Sequence, residues 1–136
     1  MYIHSKGVTK LWDTISDWRK CMEFFLVDNA DICLNYLYNN YDTVGIMKHP
    51  THIFPHYSGN FWWSTGKYLS NLFKNHTIGN EYCDTEMFLF LNNPKDHDMF
   101  PVWKVIPNYN GYINRLPEII YKNYIKAFIK ENTFGF

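Results

Sequence analysis

Three consecutive aromatic residues, Phe61-Trp62-Trp63, follow directly on the triplet Ser58-Gly59-Asn60, with His56-Tyr57 before it and a prolyl turn, Phe54-Pro55, leading in. No other stretch restricts the fold so tightly. Side chains alternate between the two faces of a strand, and aromatic residues favour that pleated backbone. The stretch is therefore expected to be a strand in which one of Trp62 and Trp63 enters a core and the other faces outward. Gly59 allows a backbone or ligand to approach closely, and Asn60 offers donors and acceptors in a small space. Apolar platforms beside a few polar groups suit a small polar ligand such as a sugar. A core strand with a bulge is the structural alternative.

Around this strand the hydrophobic pattern alternates between helix and strand. Tyr2-Ile3-His4 reads as a short strand ending in the polar turn Ser5-Lys6-Gly7. Leu11, Ile15, Trp18, Met22 and Phe25 recur at helical spacing behind Thr9, a plausible N-cap. A second helix is expected from Asn29 to Tyr38, a buried strand from Asp42 to Met47, and a helix from Lys67 to Phe73. Asp84 to Leu91 reads as a short helix with an acidic first turn, Pro101 to Ile106 as a strand, and the chain after Pro117 as the clearest helix. The order implies one domain over residues 1–136, of mixed α/β or α+β class, with about four or five strands covered by helices.

Composition narrows the function. Aromatic residues make up 20% of the chain, which argues against disorder. The 13 basic and 13 acidic residues cancel without a run of one sign, so nucleic acid is not an expected partner. No apolar run reaches transmembrane length, and no secretory signal follows Met1. Three scattered cysteines, Cys21, Cys33 and Cys83, fit a reducing, cytoplasmic compartment.

Several residues carry candidate chemistry. Asp84 and Glu86 could take a proton from a hydroxyl, although acids also simply decorate helix N-termini. Asp96-His97-Asp98 has the Asp-x-Asp form that holds Mn²⁺ or Mg²⁺ against a diphosphate, but a solvated loop is the expected reading. His49, His52 and His56 have metal-like spacing, yet Pro50 and Pro55 interrupt any helix there. Trp18 and Arg19 read as structural. No nucleophile triad, P-loop or dinucleotide fingerprint is present.

Three segments together are similar to a family: YIHSKGVT at residues 2–9, DWRKCMEFF at 17–25, and YDTVG followed by HYSGNFWW between 41 and 63. They resemble uncharacterised glycosyltransferase-like proteins of large DNA viruses and bacteria, over roughly the first 90 residues. The resemblance implies the acceptor-side half of a GT-A-like nucleotide-sugar transferase, without its nucleotide-binding half. It implies a nucleotide sugar and a glycan or other hydroxyl acceptor as substrates, with Mn²⁺ or Mg²⁺ as a cofactor. Glu86 and Asp84 become the catalytic candidates, and His4, Lys6, His56, Ser58, Gly59, Asn60, Trp62 and Trp63 the substrate-binding ones. If the chain is viral, its compartment would be the host cytoplasm. A non-catalytic carbohydrate-binding or interaction module is the alternative, with an exposed sheet edge available for self-association or a partner chain.

Overall fold

Thr43, Val44 and Gly45 form the central strand of the molecule, and all three are fully buried. The computed structural model describes residues 1–3, 12–49, 54–81 and 83–132. His4, Ser5, Lys6, Thr9, Leu11 and His52 lie outside these residues. The central strand, β1 (Thr43–Gly45), pairs antiparallel with β2 (Trp62–Ser64) and parallel with β3 (Asp96–Asp98), giving a three-stranded sheet of order β2-β1-β3. Val44 stands opposite both Trp63 and His97. Tyr2 adds a single antiparallel bridge to Trp62, so the short strand expected there is reduced to one pair of hydrogen bonds.

Strand alternation sends the side chains of β1 into two cores. Val44 joins the larger core with Ile46 and Met47, against helices α1 (Asp13–Glu23), α2 (Ala30–Tyr38) and α6 (Glu118–Asn132). The helical stripe read from sequence is realised, because Ile15, Trp18, Met22 and Phe25 are all buried in this core. After Glu23 the helix widens into a π-helical turn, Phe24–Asp28, which also buries Leu26. Thr43 and Gly45 face the smaller core, built from Tyr57, Tyr68, Leu72, Phe88, Leu89 and Phe90. That core is supplied by Tyr57, by α3 (Gly66–Asn75) and by the 3₁₀ turn Phe88–Phe90, which follows directly on the short helix α4 (Asp84–Met87). Thr65 caps α3, its hydroxyl accepting from the Tyr68 N–H at 3.2 Å.

The class is mixed α+β, as expected, with three strands among the described residues where four or five were expected. Two segments differ from the reading above for one shared reason. The place beside β1 is taken by Asp96–Asp98, the expected solvated loop, which is β3. His97 packs its ring on Tyr36 at a centroid distance of 3.7 Å, while the flanking carboxylates take partners elsewhere. With the edge position filled, the expected strand Pro101 to Ile106 turns away as a short helix, α5 (Val102–Val105), which buries only Val102. Trp62 and Trp63 do go to opposite faces, but both pack against a core: Trp63 on the larger and Trp62 on the smaller.

Candidate functional site

The turn that leads into β2 is held in a backbone conformation few residues adopt. Gly59 has φ +84° and Asn60 φ +56°. A Cβ at Gly59 would meet the sulfur of Met22, so both the left-handed φ and the close approach call for glycine. The Ser58 N–H donates to the Met47 carbonyl at 3.1 Å, and the His49 N–H donates to the His56 carbonyl at 2.8 Å. These bonds stack the imidazoles of His49 and His56, with centroids 5.0 Å apart and planes 14° from parallel. Nδ1 of His56 lies 2.8 Å from the Phe54 carbonyl. A carbonyl only accepts, so Nδ1 carries the proton and Nε2 is left as the other face of the ring. Burial and the neighbouring His56 lower the pKa of His49.

Opposite this turn stands a wall from the C-terminal part of the chain. Trp103, on α5, meets His49 edge-on at 5.7 Å, and its indole N–H donates to the Tyr109 carbonyl at 3.1 Å. The segment 109–112 then runs across Trp18. A Cβ at Gly111 would come within 2.9 Å of the Trp18 indole, and Tyr112 packs edge-on against it at 5.5 Å. The segment is held to α1 at several points. Thr14 donates to the Tyr112 carbonyl at 3.2 Å, and Arg115 donates to Asp17 at 2.6 Å and to Asp13 at 3.0 Å. The Leu116 N–H also donates to Asp17, at 3.2 Å.

Between turn and wall lies a cleft of about 330 Å³, floored by Trp18 and Met47 and lined by His49, His56, Ser58, Gly59, Glu86, Trp103 and residues 109–112. This size is at the small end of ligand sites. Tyr109 is 6% exposed, and its hydroxyl has no hydrogen-bond partner among the described residues. A buried polar atom left in that state is costly.

Five of the residues singled out from sequence for candidate chemistry therefore meet here: His49, His56, Ser58, Gly59 and Glu86. Others do not. Asp84 turns away and accepts from the Glu81 N–H at 2.8 Å, closing its own turn against Gly79. Asn60 is buried and accepts from the Trp62 indole at 2.8 Å, and Trp62 stacks on Tyr2 at 4.9 Å. The Trp63 indole donates to the Leu26 carbonyl at 2.8 Å. These three residues shape the turn and the sheet rather than line the cleft.

Asp96 and Asp98 do not offer a cation site. Asp96 holds the Lys48 ammonium at 2.7 Å, and the two oxygens of Asp98 accept from the Lys48 N–H at 2.9 Å and the Phe100 N–H at 3.1 Å. Burial pushes the Asp98 carboxyl up to about 6. No cluster of three or more His, Cys, Asp or Glu able to hold a metal occurs among the described residues. The donor set therefore does not fit the divalent ion that the Asp-x-Asp form suggested.

The residues that sequence reasoning passed over are Trp103, Tyr109, Asn110, Gly111 and Tyr112, together with Trp18, which was read as purely structural. Their only signal was aromatic density after Pro101, beside the Asn110-Gly111 turn.

Fold and cleft together define a small α+β domain with a cleft that has aromatic walls, a pair of imidazoles and, among its described lining residues, one carboxylate. The chain belongs to the family described as Domain of unknown function (DUF8361), whose profile matches residues 1–100. The match includes the turn, Trp18 and Glu86, and ends before the wall formed by Trp103 and residues 109–112. No curated protein and no solved structure matches the chain. No helix among the described residues is long and apolar enough to cross a membrane.

Proposed function

We propose that the cleft binds a sugar and that the chain acts in glycosyl transfer from a nucleotide sugar to a hydroxyl acceptor. The observation that carries this reading is the meeting of Glu86 and His56 with Trp103, Tyr109 and Tyr112 around one small cleft. Aromatic faces hold the apolar side of a sugar ring, and polar groups at the edge read its hydroxyls. In the transfer, the acceptor O–H gives its proton to the Glu86 carboxylate. The freed oxygen pair forms the bond to the anomeric carbon. The bond from that carbon to the diphosphate oxygen breaks, and the nucleoside diphosphate leaves with the electron pair. His56 Nε2 accepts a hydrogen bond from a sugar or acceptor hydroxyl and orients it. Lys6, by its resemblance to the glycosyltransferase-like pattern, is the residue proposed to meet the diphosphate. Three free cysteines, two of them buried, accord with a reducing compartment, and we place the protein in the cytoplasm.

A binding module without turnover is the second reading. It is favoured by the departure of Asp84 from the cleft, which leaves Glu86 as the only carboxylate among its described lining residues. One experiment separates the two. The purified chain is incubated with a panel of nucleotide sugars and glycans, with and without Mn²⁺, and release of nucleoside diphosphate is followed alongside glycan binding. Transfer predicts release that Glu86→Gln abolishes while glycan binding persists. Glycan binding with no release for the native chain supports the module. Neither binding nor release would sink both.

A further inference from the structure

The cleft does not end at Glu86. A second cavity of about 530 Å³ shares His49, His56 and Glu86 with it, and beyond them is walled by Phe54, Cys83 and Met87. Phe54 and Met87 in turn line a third cavity of about 490 Å³, with Phe88, Phe90 and Leu91. The acid and imidazoles thus stand at a junction, with the aromatic-walled cleft on one side and a run of apolar side chains on the other. Phe54 is 57% exposed and Leu91 48% exposed, so this run opens at the surface. Its far rim carries Asp84, whose carboxylate is already bonded to the Glu81 N–H.

A ligand that fills both sides must place a hydroxyl at the junction and an apolar body beyond it. We propose that the acceptor is amphipathic: a hydroxyl group carried on an aliphatic chain, with the oxygen at Glu86 and His56 and the chain along Phe54, Met87 and Leu91. This deepens the sugar-transfer reading and rests on it for the direction of transfer, though not for the seating of the chain.

The test uses the whole chain and the 1-alkanols from butanol to octanol, with binding followed by calorimetry. Affinity is expected to rise about threefold to fourfold per added methylene, the increment for burying one such group. Met87→Glu is expected to weaken octanol binding at least tenfold and flatten the series. Phe54→Ser, at an exposed position, provides the same reading where Met87→Glu fails to fold. Ile119→Glu, at a position 61% exposed on α6, is expected to leave the series unchanged. A flat series in the native chain would overturn the proposal. So would equal losses in the Met87 and Ile119 variants, or a concentration-dependent dimer that excludes octanol. A panel of methyl glycosides run beside the alkanols separates the two ideas. Glycoside binding with a flat alkanol series removes the amphipathic acceptor and leaves the sugar site. A steep alkanol series with no glycoside bound does the reverse.

Discussion

The guanidinium of Arg115 donates to the carboxylate of Asp17 at 2.6 Å, joining the segment before α6 to the middle of α1. Asp17 is the better buried of the two, its side chain 13% exposed against 60% for Arg115. The same carboxylate accepts from the Leu116 N–H, so one acid fixes both the side chain and the backbone at the end of the cleft wall. The hydrogen bond from Arg115 holds the Asp17 carboxyl below the usual carboxylate range. A depressed acid stabilises the fold above its unfolded pKa, and that stability is lost as pH falls through the folded value.

Asp17→Ala is expected to destabilise the chain by about 1.5–3 kcal/mol, the range for lost hydrogen bonds to a charged group. Urea unfolding at neutral pH measures this. The difference from the native chain should shrink only as the pH falls well below 3.8, through the depressed folded value, where the native carboxyl takes up its proton. Ligand binding in the cleft should weaken as well, because residues 109–112 lose their anchor.

Gly45 and Gly66 are expected to respond to alanine with opposite signs. A Cβ at Gly45 would run into the ring of Tyr57, whose hydroxyl is tied to Thr43 at 3.1 Å and to the His97 carbonyl at 3.2 Å. The ring cannot retreat without breaking those bonds, so Gly45→Ala should cost about 1–3 kcal/mol as overpacking. Among the described residues, nothing beyond its chain neighbours and its own helix backbone lies within 4 Å of a Cβ at Gly66, the first residue of α3. Gly66→Ala should stabilise by up to about 1 kcal/mol through helix propensity. Paired thermal melts decide the matter.

His97 and Asp98 are expected to pull the pH profile of stability in opposite directions. Burial lowers His97 to about 4, so its neutral form is favoured in the fold and stability falls as pH drops from 6.5 towards 4. Burial raises Asp98 to about 6, so its contribution is fullest below 3.8 and is lost as pH rises through 6. The native profile between pH 4 and 6 should therefore be shallow. His97→Gln should leave stability falling with rising pH in that window, and Asp98→Asn should leave it rising. Unfolding midpoints across the window provide the check.

Trp103 and Trp62 separate a cleft wall from a sheet position. Trp103→Ala should reduce glycan binding at least tenfold, a loss of about 1.4 kcal/mol or more. Trp62→Phe keeps an aromatic ring for Tyr2 to stack upon and should leave binding unchanged. Fluorescence titration with the same glycan reads both variants.

Helices α1, α2, α3 and α6 were legible because each buries one stripe at helical spacing. The central strand and the aromatic strand were legible because consecutive apolar residues were bounded by turns. Asp96–Asp98 was not, since its side chains argue for solvent and its strand geometry comes from pairing with β1. Pro101 to Ile106 carried strand-forming residues, but no sheet position remained for it. Glu86 was selected over many acids only through the family resemblance. The cleft wall was missed because Trp103 acquires its role from contact with His49, and Gly111 and Tyr112 from contact with Trp18 of α1, relations between distant parts of the chain that no local pattern encodes.

The parallel pairing of β1 with β3 also bears on how the chain comes into being. The whole stretch from 46 to 95 must be made before the second edge of β1 finds its partner. β2 lies nearer in sequence and can pair first. During synthesis the nascent sheet would then hold two strands, with the backbone groups of Thr43 and Gly45 open along one side. Such an edge is a template for a neighbouring nascent chain, and pairings across long intervening stretches form slowly. Crowded polysomes would be the place where this protein is lost to aggregation, and a chaperone that shields a strand edge until Asp98 has left the ribosome would raise its yield.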